Sequence, residues 1–275
     1  SVGELTVICT YFSSSLQIIK YYFELGKSYQ NVKTSLNRIN EIWSIQPEKD
    51  GNEVIDEIIK INGLITFEYI KGKNILDNVL INLEQGKIYG VVGENGSGKS
   101  TLSKLLIGLL HSNSIYVNDI DVSHVNMKLL RLNNLLYIPQ SLNYPNRTVE
   151  EIYQECKKNI EIETLINNIK RIHLSEEANI IDLLRNNWKH NINEFSGGEK
   201  QIISILKCVV KKFDFVILDE PTSNLDFNRA TVLTEILNYL KNEGKIVLII
   251  THDSNLENKC DTILYLPKIG ERSDL

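Results

Sequence analysis

The chain lacks several features whose absence excludes whole classes of protein. It has four cysteines among 275 residues, scattered and without a C-x-x-C pair, so we expect reduced thiols in a cytosolic setting rather than a disulfide framework or a zinc site. Its formal net charge is −5, and without an excess of basic residues nothing favours nucleic-acid binding. It also lacks internal repeats and low-complexity tracts.

The N-terminal region lacks proline, and its first part is rich in apolar residues and lacks charge from Leu5 to Ile19. No basic flank or small-residue cleavage site accompanies the uncharged run Leu5–Ile19, so a cleavable signal peptide is not expected. The run is shorter than the ~18–20 apolar residues that a lone membrane-spanning helix needs. Two interpretations stay open: an amphipathic or partly buried helix, and part of a membrane helix that faces other helices. Helical spacing continues to about Ile45.

Pro47 and Gly51 interrupt this pattern and predict a boundary between a helical segment, 1–46, and a larger domain, 47–275. Beyond it, short β-prone runs alternate with helical patterns, which indicates an α/β core. Two of these runs are continuously apolar, as in parallel strands buried on both faces. Residues of about 149–195 are polar and helical and predict a helical subdomain. The β-prone runs are Leu64–Tyr69, Val79–Leu83, Ile88–Val92, Leu135–Ile138, Phe215–Leu218, Ile246–Ile250 and Thr262–Leu266.

A glycine-bearing loop predicts a phosphate-binding site. It matches G-x-x-x-x-G-K-[ST], follows the predicted strand Ile88–Val92 and precedes a helical run, Ser100–Leu110. Glycines let backbone N–H groups converge on phosphates, and the helix N-terminus adds a favourable dipole. We expect Lys99 to bridge phosphate oxygens, Ser100 to bind Mg²⁺ and Thr101 to reach the α-phosphate. The loop is Gly93, Glu94, Asn95, Gly96, Ser97, Gly98, Lys99 and Ser100.

A second acidic element follows the apolar strand Phe215–Leu218. Asp219 ends that strand and is predicted to hold the metal beside the phosphate loop. Glu220, the next residue, is predicted to act as a general base on an attacking water.

Together these elements resemble the nucleotide-binding domain of ATP-binding cassette (ABC) ATPases, over about Ile61 to Leu266. The stretch Phe195–Glu199 resembles the family signature L-S-G-G-Q, about 20 residues ahead of the Asp219 strand. Other elements follow in the family's order. They are Gln140 as the Q-loop glutamine, Ser223-Asn224-Leu225-Asp226 as the D-loop, His252 as the switch histidine and Tyr69 as the aromatic residue that stacks on adenine.

The resemblance implies a P-loop NTPase fold of the ABC type: a mixed core sheet flanked by helices, an antiparallel β subdomain and a helical subdomain. It implies ATP and Mg²⁺ as ligands, with metal contacts from Ser100, Gln140 and Asp219 and catalytic roles for Glu220, His252 and Gln140. It also implies a head-to-tail dimer with a second nucleotide-binding domain. The residues that would act across that dimer are Ser196, Gly197, Gly198, Glu199 and Asp226.

Several positions depart from the family pattern. The signature has Phe195 for leucine and Glu199 for glutamine, and Glu199 is expected to weaken or retune the nucleotide contact. Lys200-Gln201-Ile202-Ile203 replaces a more basic run. Asn186–Asn191 stands where many exporters carry T-x-x-G-E-x-G, which affects the expected coupling between subunits.

The first ~45 residues resemble the last membrane helix of an ABC exporter. On that resemblance the chain is the C-terminal part of a half-transporter that works with a transmembrane domain at the cytoplasmic face of a cell membrane, with a peptide or bacteriocin as a candidate cargo. The alternatives are an importer-type ATPase, a lipid or drug exporter and a soluble ABC ATPase of translation or repair. The helical leader argues against the importer type. The single cassette and the short span from Gln140 to Ser196 argue against the soluble types.

Overall fold

The computed structural model of the chain describes residues 2–44, 48, 51–70, 72–111 and 114–267. By its internal contacts the chain divides into two compact units, 1–49 and 50–275. Ile45, Pro47, Lys49 and Asp50, at the end of the predicted helix and in the predicted linker, lie outside the described residues, so the boundary at Pro47 stays a prediction.

The first unit contains one described helix, α1 (Val2–Trp43), in which no residue is buried. Forty-two residues at a rise of 1.5 Å give a length of about 63 Å, twice the ~30 Å thickness of a bilayer's hydrocarbon core. An 18-residue window of α1 has a mean hydropathy of 1.2, so its length and composition allow it to cross a membrane. The helix was predicted, and its apolar character extends beyond the run Leu5–Ile19.

The second unit alternates strands and helices, as predicted from the sequence. Its helices and strands in chain order are β1 (Lys60–Ile70), β2 (Lys73–Glu84), β3 (Ile88–Val92), α2 (Lys99–Leu106), β4 (Ile115–Val117), β5 (Ile120–Asp121), α3 (Met127–Asn133), β6 (Leu135–Ile138), α4 (Val149–Gln154), α5 (Ile162–Lys170), α6 (Glu177–Asn187), a 3-10 helix (Ile192–Glu194), α7 (Gly197–Ile205), α8 (Lys207–Val210), β7 (Phe215–Asp219), α9 (Phe227–Asn242), β8 (Ile246–Ile250), α10 (Ser254–Glu257) and β9 (Thr262–Tyr265).

The strands form two sheets. A five-stranded sheet has the order β6-β7-β8-β3-β9, and every described pair in it is parallel. A four-stranded sheet, β2-β1-β4-β5, is antiparallel throughout. The predicted fold class is confirmed. The core sheet itself is not mixed as predicted: among the described strands, the antiparallel ones pair only with one another and form a separate sheet.

The core lies on both faces of the parallel sheet. Successive side chains of a strand point to opposite faces. Val216 and Leu218 of β7 therefore pack with α4–α9 in one cluster, and Phe215 and Ile217 pack with α2 and the antiparallel sheet in the other. Every residue of β7 and β8 is buried, which confirms the prediction made from their continuous apolar runs.

The predicted helical subdomain is observed as α4, α5, α6 and the 3-10 helix. A capping box starts α4: the Thr148 hydroxyl accepts from the Glu151 N–H, and the Glu151 carboxylate accepts from the Thr148 N–H. Tyr153 of α4 is fully buried, stacks on Trp188 and donates a hydrogen bond to the Ile203 carbonyl. These contacts join the subdomain to α7, the helix that follows the signature.

Candidate functional site

The site lies at the carboxyl ends of the parallel strands. Asp219 pairs with Ile250 of β8, and Ile250 pairs with Val91 of β3, so the three strands end at one level. The residues that follow them, Glu220 and His252 among them, therefore meet at one edge of the sheet. Ligands of open α/β sheets bind at this edge. β6 pairs with β7 and brings the segment containing Gln140 to the same edge.

The phosphate loop turns tightly between β3 and α2. Gly98 precedes the first residue of α2 and has φ +101°. A Cβ atom there would lie 2.8 Å from Leu76 Cδ2 and 3.2 Å from the Ile75 carbonyl oxygen, so the loop packs directly on β2. Lys99 Nζ donates to the Gly93 carbonyl and, at 3.1 Å, to the Glu94 carbonyl. The ammonium group is therefore held across the loop, beside the helix N-terminus.

Asp219 is a nearly buried carboxylate, with 7% of its surface exposed. Burial raises its pKa, and the hydroxyl of Tyr137, 3.4 Å from Oδ2, and the charge of Lys99 oppose that rise. Burial also lowers the pKa of Lys99, which the charges of Glu220 and Asp219 oppose. Because burial disfavours the charged forms of both groups, a ligand that places a positive charge beside Asp219 and a negative charge beside Lys99 is favoured at this edge of the sheet.

Glu220 has an unusual backbone conformation. Its φ of +47° is in the left-handed region, which is uncommon for residues other than glycine and clusters at functional sites. Its N–H donates to the Ile250 carbonyl at 2.8 Å, which holds the turn against β8. Glu220 Oε1 lies 3.4 Å from His252 Nε2. Burial raises the pKa of Glu220, and His252 opposes the rise, so the carboxylate is a stronger base than an exposed glutamate.

A cleft of about 540 Å³ brings most of the predicted site residues together. The predicted loop residues Gly93, Glu94 and Ser97 do not line this cleft. Ile75 lines it without having been predicted, because no motif marks it. Tyr69 is 55% exposed, and its ring lies nearly perpendicular to the Phe67 ring, with 5.0 Å between the ring centroids. The predicted residues that line the cleft are Tyr69, Asn95, Gly96, Gly98, Lys99, Ser100, Thr101, Gln140, Asp219, Glu220 and His252.

The signature residues do not line this cleft. Ser196 caps α7, Gly197 lines a separate cleft of about 350 Å³ together with Gln140, and Glu199 and Asp226 line a third of about 320 Å³. Within one chain the structure therefore does not bring Ser196–Glu199 or Asp226 to the phosphate loop. Arg229, which sequence reasoning missed, lies 3.4 Å from Glu199 and 3.7 Å from Asp226.

The cleft fits a nucleoside triphosphate with Mg²⁺. Protein sites for Mg²⁺ supply one or two carboxylates and hydroxyl or carbonyl oxygens, and phosphates complete the shell. Asp219, the Ser100 hydroxyl and the Gln140 side-chain oxygen are donors of this kind. Within the described ranges no group of three or more His, Cys, Asp or Glu could hold a metal alone. The donor set therefore suits a metal that arrives with phosphate.

Comparison with known proteins gives concordant matches. The ABC transporter family model matches residues 76–223, more than half of the chain. The energy-coupling factor transporter ATP-binding protein of Thermotoga maritima is 34% identical over 204 residues, which are 74% of this chain and 76% of that protein. The lactococcin-G-processing and transport ATP-binding protein of Lactococcus lactis is 29% identical over 97% of this chain and 39% of that protein.

Among solved structures, a bacterial Atm1-family ABC exporter with ATP bound superposes with a TM-score of 0.69 over 88% of this chain and 44% of that chain. At 22% identity this likeness shows the fold alone. Several curated relatives are much longer than the chain, which spans 32% to 45% of their length.

The family model agrees with the geometry of the site, where the phosphate loop and the carboxylates line one cleft at the sheet edge. The chain therefore belongs to the ABC transporter family and contains its ATPase domain, which binds ATP.

Proposed function

We propose that the chain binds Mg·ATP in the phosphate cleft and hydrolyses it in a head-to-tail pair of cassettes. The pair powers export of a substrate through a transmembrane domain, from the cytoplasmic face of a bacterial cell membrane. The observation that carries this proposal is the cleft that gathers Lys99, Asp219, Glu220 and His252 at one edge of the sheet.

Most of the polar and aromatic side chains of the cleft have a proposed task. Lys99 and the loop N–H groups bind the phosphates, Tyr69 stacks on the adenine, and Thr101 approaches the α-phosphate. Ser100, Gln140 and Asp219 hold Mg²⁺, which when bound neutralises phosphate charge.

Hydrolysis requires a base for the attacking water. Glu220 takes the water proton while the water oxygen bonds to the γ-phosphorus, and the bond to the bridging oxygen breaks with its electron pair leaving on ADP. The raised pKa of Glu220 suits this task. His252 Nε2, 3.4 Å from Glu220, donates towards the developing charge and orients the carboxylate.

A second copy would complete the site. Ser196 caps a helix that begins at Gly197, and the backbone N–H groups of Gly197 and Gly198 suit an anion, yet Ser196, Gly197, Gly198 and Glu199 line no part of the phosphate cleft of their own chain. We infer that they close over the γ-phosphate of a partner cassette and that Asp226 crosses the same interface. Loss of the γ-phosphate then lets the pair open.

The proposal of an exporter is supported by α1 and by one relative. A helix of about 63 Å can cross a membrane and continue towards a cytoplasmic domain. We propose that 1–46 is the last membrane helix with its linker and that 47–275 is the nucleotide-binding domain. The similarity to a lactococcin-processing transporter supports a peptide or bacteriocin as cargo.

Replacing the base tests hydrolysis and pairing together. Glu220→Gln should retain ATP binding, lower turnover by about 10²–10⁴-fold and produce an ATP-dependent dimer. Glu161→Gln, at an exposed residue of the helical subdomain, is the matched control and should turn over normally. Turnover is measured by phosphate release and pairing by light scattering after gel filtration. A Glu220→Gln chain that stays monomeric with ATP refutes the paired site.

The phosphate loop has its own test. Lys99→Ala should remove most of the affinity for ATP, because the bridging ammonium is lost. Lys104→Ala, an exposed residue on the same helix, should bind ATP normally. Equal affinities in the two variants would contradict the assignment of the loop.

An ATPase of a different ABC system is the second candidate, and the similarity to the energy-coupling factor protein favours it. The candidates differ in what they require of α1. An exporter subunit should stay in membranes after an alkaline wash, whereas an ATPase that docks on separate membrane subunits should be released by it.

A further inference from the structure

The hydroxyl of Ser196 is already engaged within the chain. Ser196 Oγ donates to Glu199 Oε2 at 2.7 Å, and the Ser196 N–H donates to the same oxygen at 2.9 Å. The Glu199 N–H in turn donates to Ser196 Oγ at 3.4 Å. Glu199 thus closes a capping box around the first turn of α7. Its side chain is 26% exposed, so these bonds are only partly screened by solvent.

Arg229 lies on the other side of Glu199. Its Nη2 is 3.4 Å from Glu199 Oε1, and its Nη1 is 3.7 Å from Asp226 Oδ2. A Cβ atom on Gly198 would lie 2.9 Å from Arg229 Nη1 and 2.6 Å from the Asn224 carbonyl oxygen. The guanidinium group of Arg229 and the backbone of Asn224 therefore pack directly on Gly198, in the first turn of α7. No other residue type fits at Gly198 without moving that backbone.

Glu199 is ionised at neutral pH. The hydrogen bond from the Ser196 hydroxyl does most to lower the pKa of Glu199, and burial opposes this. The Ser196 N–H and the charge of Arg229 lower the pKa further. The first turn of α7 therefore carries a full negative charge where its helix dipole is positive.

A phosphate at Ser196 would compete with this carboxylate. A serine hydroxyl has one proton, so Ser196 donates either to Glu199 or to a phosphate oxygen. A phosphate oxygen at ~2.7 Å from Ser196 Oγ would lie no further than about 5.5 Å from the present position of Glu199 Oε2, because Oε2 is itself 2.7 Å from the same hydroxyl. Like charges at that separation repel, and Arg229, 3.4 Å from Glu199, is placed to offset the repulsion.

We propose that Glu199 raises the ATP concentration at which two copies of this chain close, and that Arg229 lowers it by offsetting the Glu199 charge. Both are positioning residues for the shared site. The inference rests on the proposed function, because it requires Ser196 to meet the ATP of a partner cassette.

The two residues should shift closure in opposite directions. Glu199→Gln preserves the cap but removes the charge, so the half-saturating ATP concentration should fall on the order of tenfold. Arg229→Ala leaves the carboxylate uncompensated, so the concentration should rise by a similar factor. Arg229→Lys should recover part of that loss. When Arg229→Ala is added to Glu199→Gln, it should have little further effect, because no carboxylate charge remains for Arg229 to offset.

The experiment uses the full chain in mild detergent, with each variant made on the Glu220→Gln background so that hydrolysis does not deplete ATP. Light scattering gives the ATP midpoint of pairing, and a fluorescent ATP analogue gives affinity for the phosphate loop, which should not change. Arg185→Ala, which loses an exposed ion pair with Glu163, is the matched control.

Each outcome has one meaning. Opposite shifts with a silent control support the inference. Shifts in the same direction would mean that the pair merely stabilises the turn, and equal midpoints would mean that Glu199 does not sense phosphate. Either result refutes this inference alone. A chain that binds ATP and never pairs refutes the proposed function and this inference with it.

Discussion

Gly98→Ala should destabilise the ATPase domain by more than an ordinary glycine substitution. The left-handed backbone costs a residue with a Cβ atom about 1–2 kcal/mol. The new Cβ would lie 2.8 Å from Leu76 Cδ2 and 3.2 Å from the Ile75 carbonyl oxygen, and Leu76 is fully buried and cannot move aside cheaply. Overpacking of this kind costs about 1–3 kcal/mol. The expected loss of unfolding free energy is therefore about 2–5 kcal/mol.

Gly244→Ala separates the two contributions. Gly244 has φ +74°, and no atom lies within 4 Å of its Cβ position, so only the backbone cost of about 1–2 kcal/mol applies. Urea unfolding of both variants without nucleotide, followed by circular dichroism, gives the difference. The melting temperature of Gly98→Ala should lie a further ~2–12 °C lower, at ~2–4 °C per kcal/mol for a domain of this size. Its ATP affinity should fall as well, because the loop must move away from β2.

Equal losses in the two variants would refute the reasoning. They would show that the loop does not rest on Ile75 and Leu76. Unchanged ATP affinity in a destabilised Gly98→Ala chain would show that the packing of the loop matters for stability but not for the phosphate site.

Three further predictions follow from single contacts. Tyr69→Ala should weaken binding of adenine nucleotides about 5- to 150-fold, through loss of a stacking contact of ~1–3 kcal/mol, whereas Tyr69→Trp should keep it, measured by titration calorimetry. Tyr137→Phe should raise the pKa of Asp219 further above its ordinary value, measured by a ¹³C titration without nucleotide, because the hydrogen bond that opposes the rise is lost. A raised pKa in the folded state stabilises the protein at low pH, and this stabilisation is lost as pH rises through the folded pKa. In the variant the loss should therefore extend to higher pH. Lys245→Met should lower the free energy of unfolding by about 2–4 kcal/mol, because it leaves the nearly buried Asp214 without its cation. Asp214→Asn in the same chain should recover part of this loss. If nothing is recovered, the charge of Asp214 is not the cause.

The elements predicted best are those whose evidence is local. The continuous apolar runs of β7 and β8 favour strands covered on both faces, and both strands are wholly buried. β4 and β5 were not predicted, because three and two residues are too few to show a period of two. They form strands because β1 offers a free edge for β4, which is a property of the folded sheet.

The candidate site divides in the same way. The phosphate loop and Asp219-Glu220 are contiguous motifs, so their chemistry was predicted. The contacts that tune them are not contiguous: Tyr137 reaches Asp219 across 82 residues, and Arg229 reaches Glu199 across 30. No pattern marks Tyr137 or Arg229, since each owes its position to the pairing of β6 with β7 or to the packing of α9 on α7.

By itself the sequence determined the phosphate loop, the acidic pair after a buried strand and the presence of Glu199 in the signature, because each consists of residues adjacent in the chain. It also determined the ABC resemblance, which depends on these motifs and their order. Only the tertiary structure decided that the loop and the carboxylates share one cleft while the signature does not, because strand order sets which loops meet. It also decided that Glu199 holds the hydroxyl of Ser196 and meets Arg229, since hydrogen bonds and ion pairs depend on distances that no sequence pattern contains.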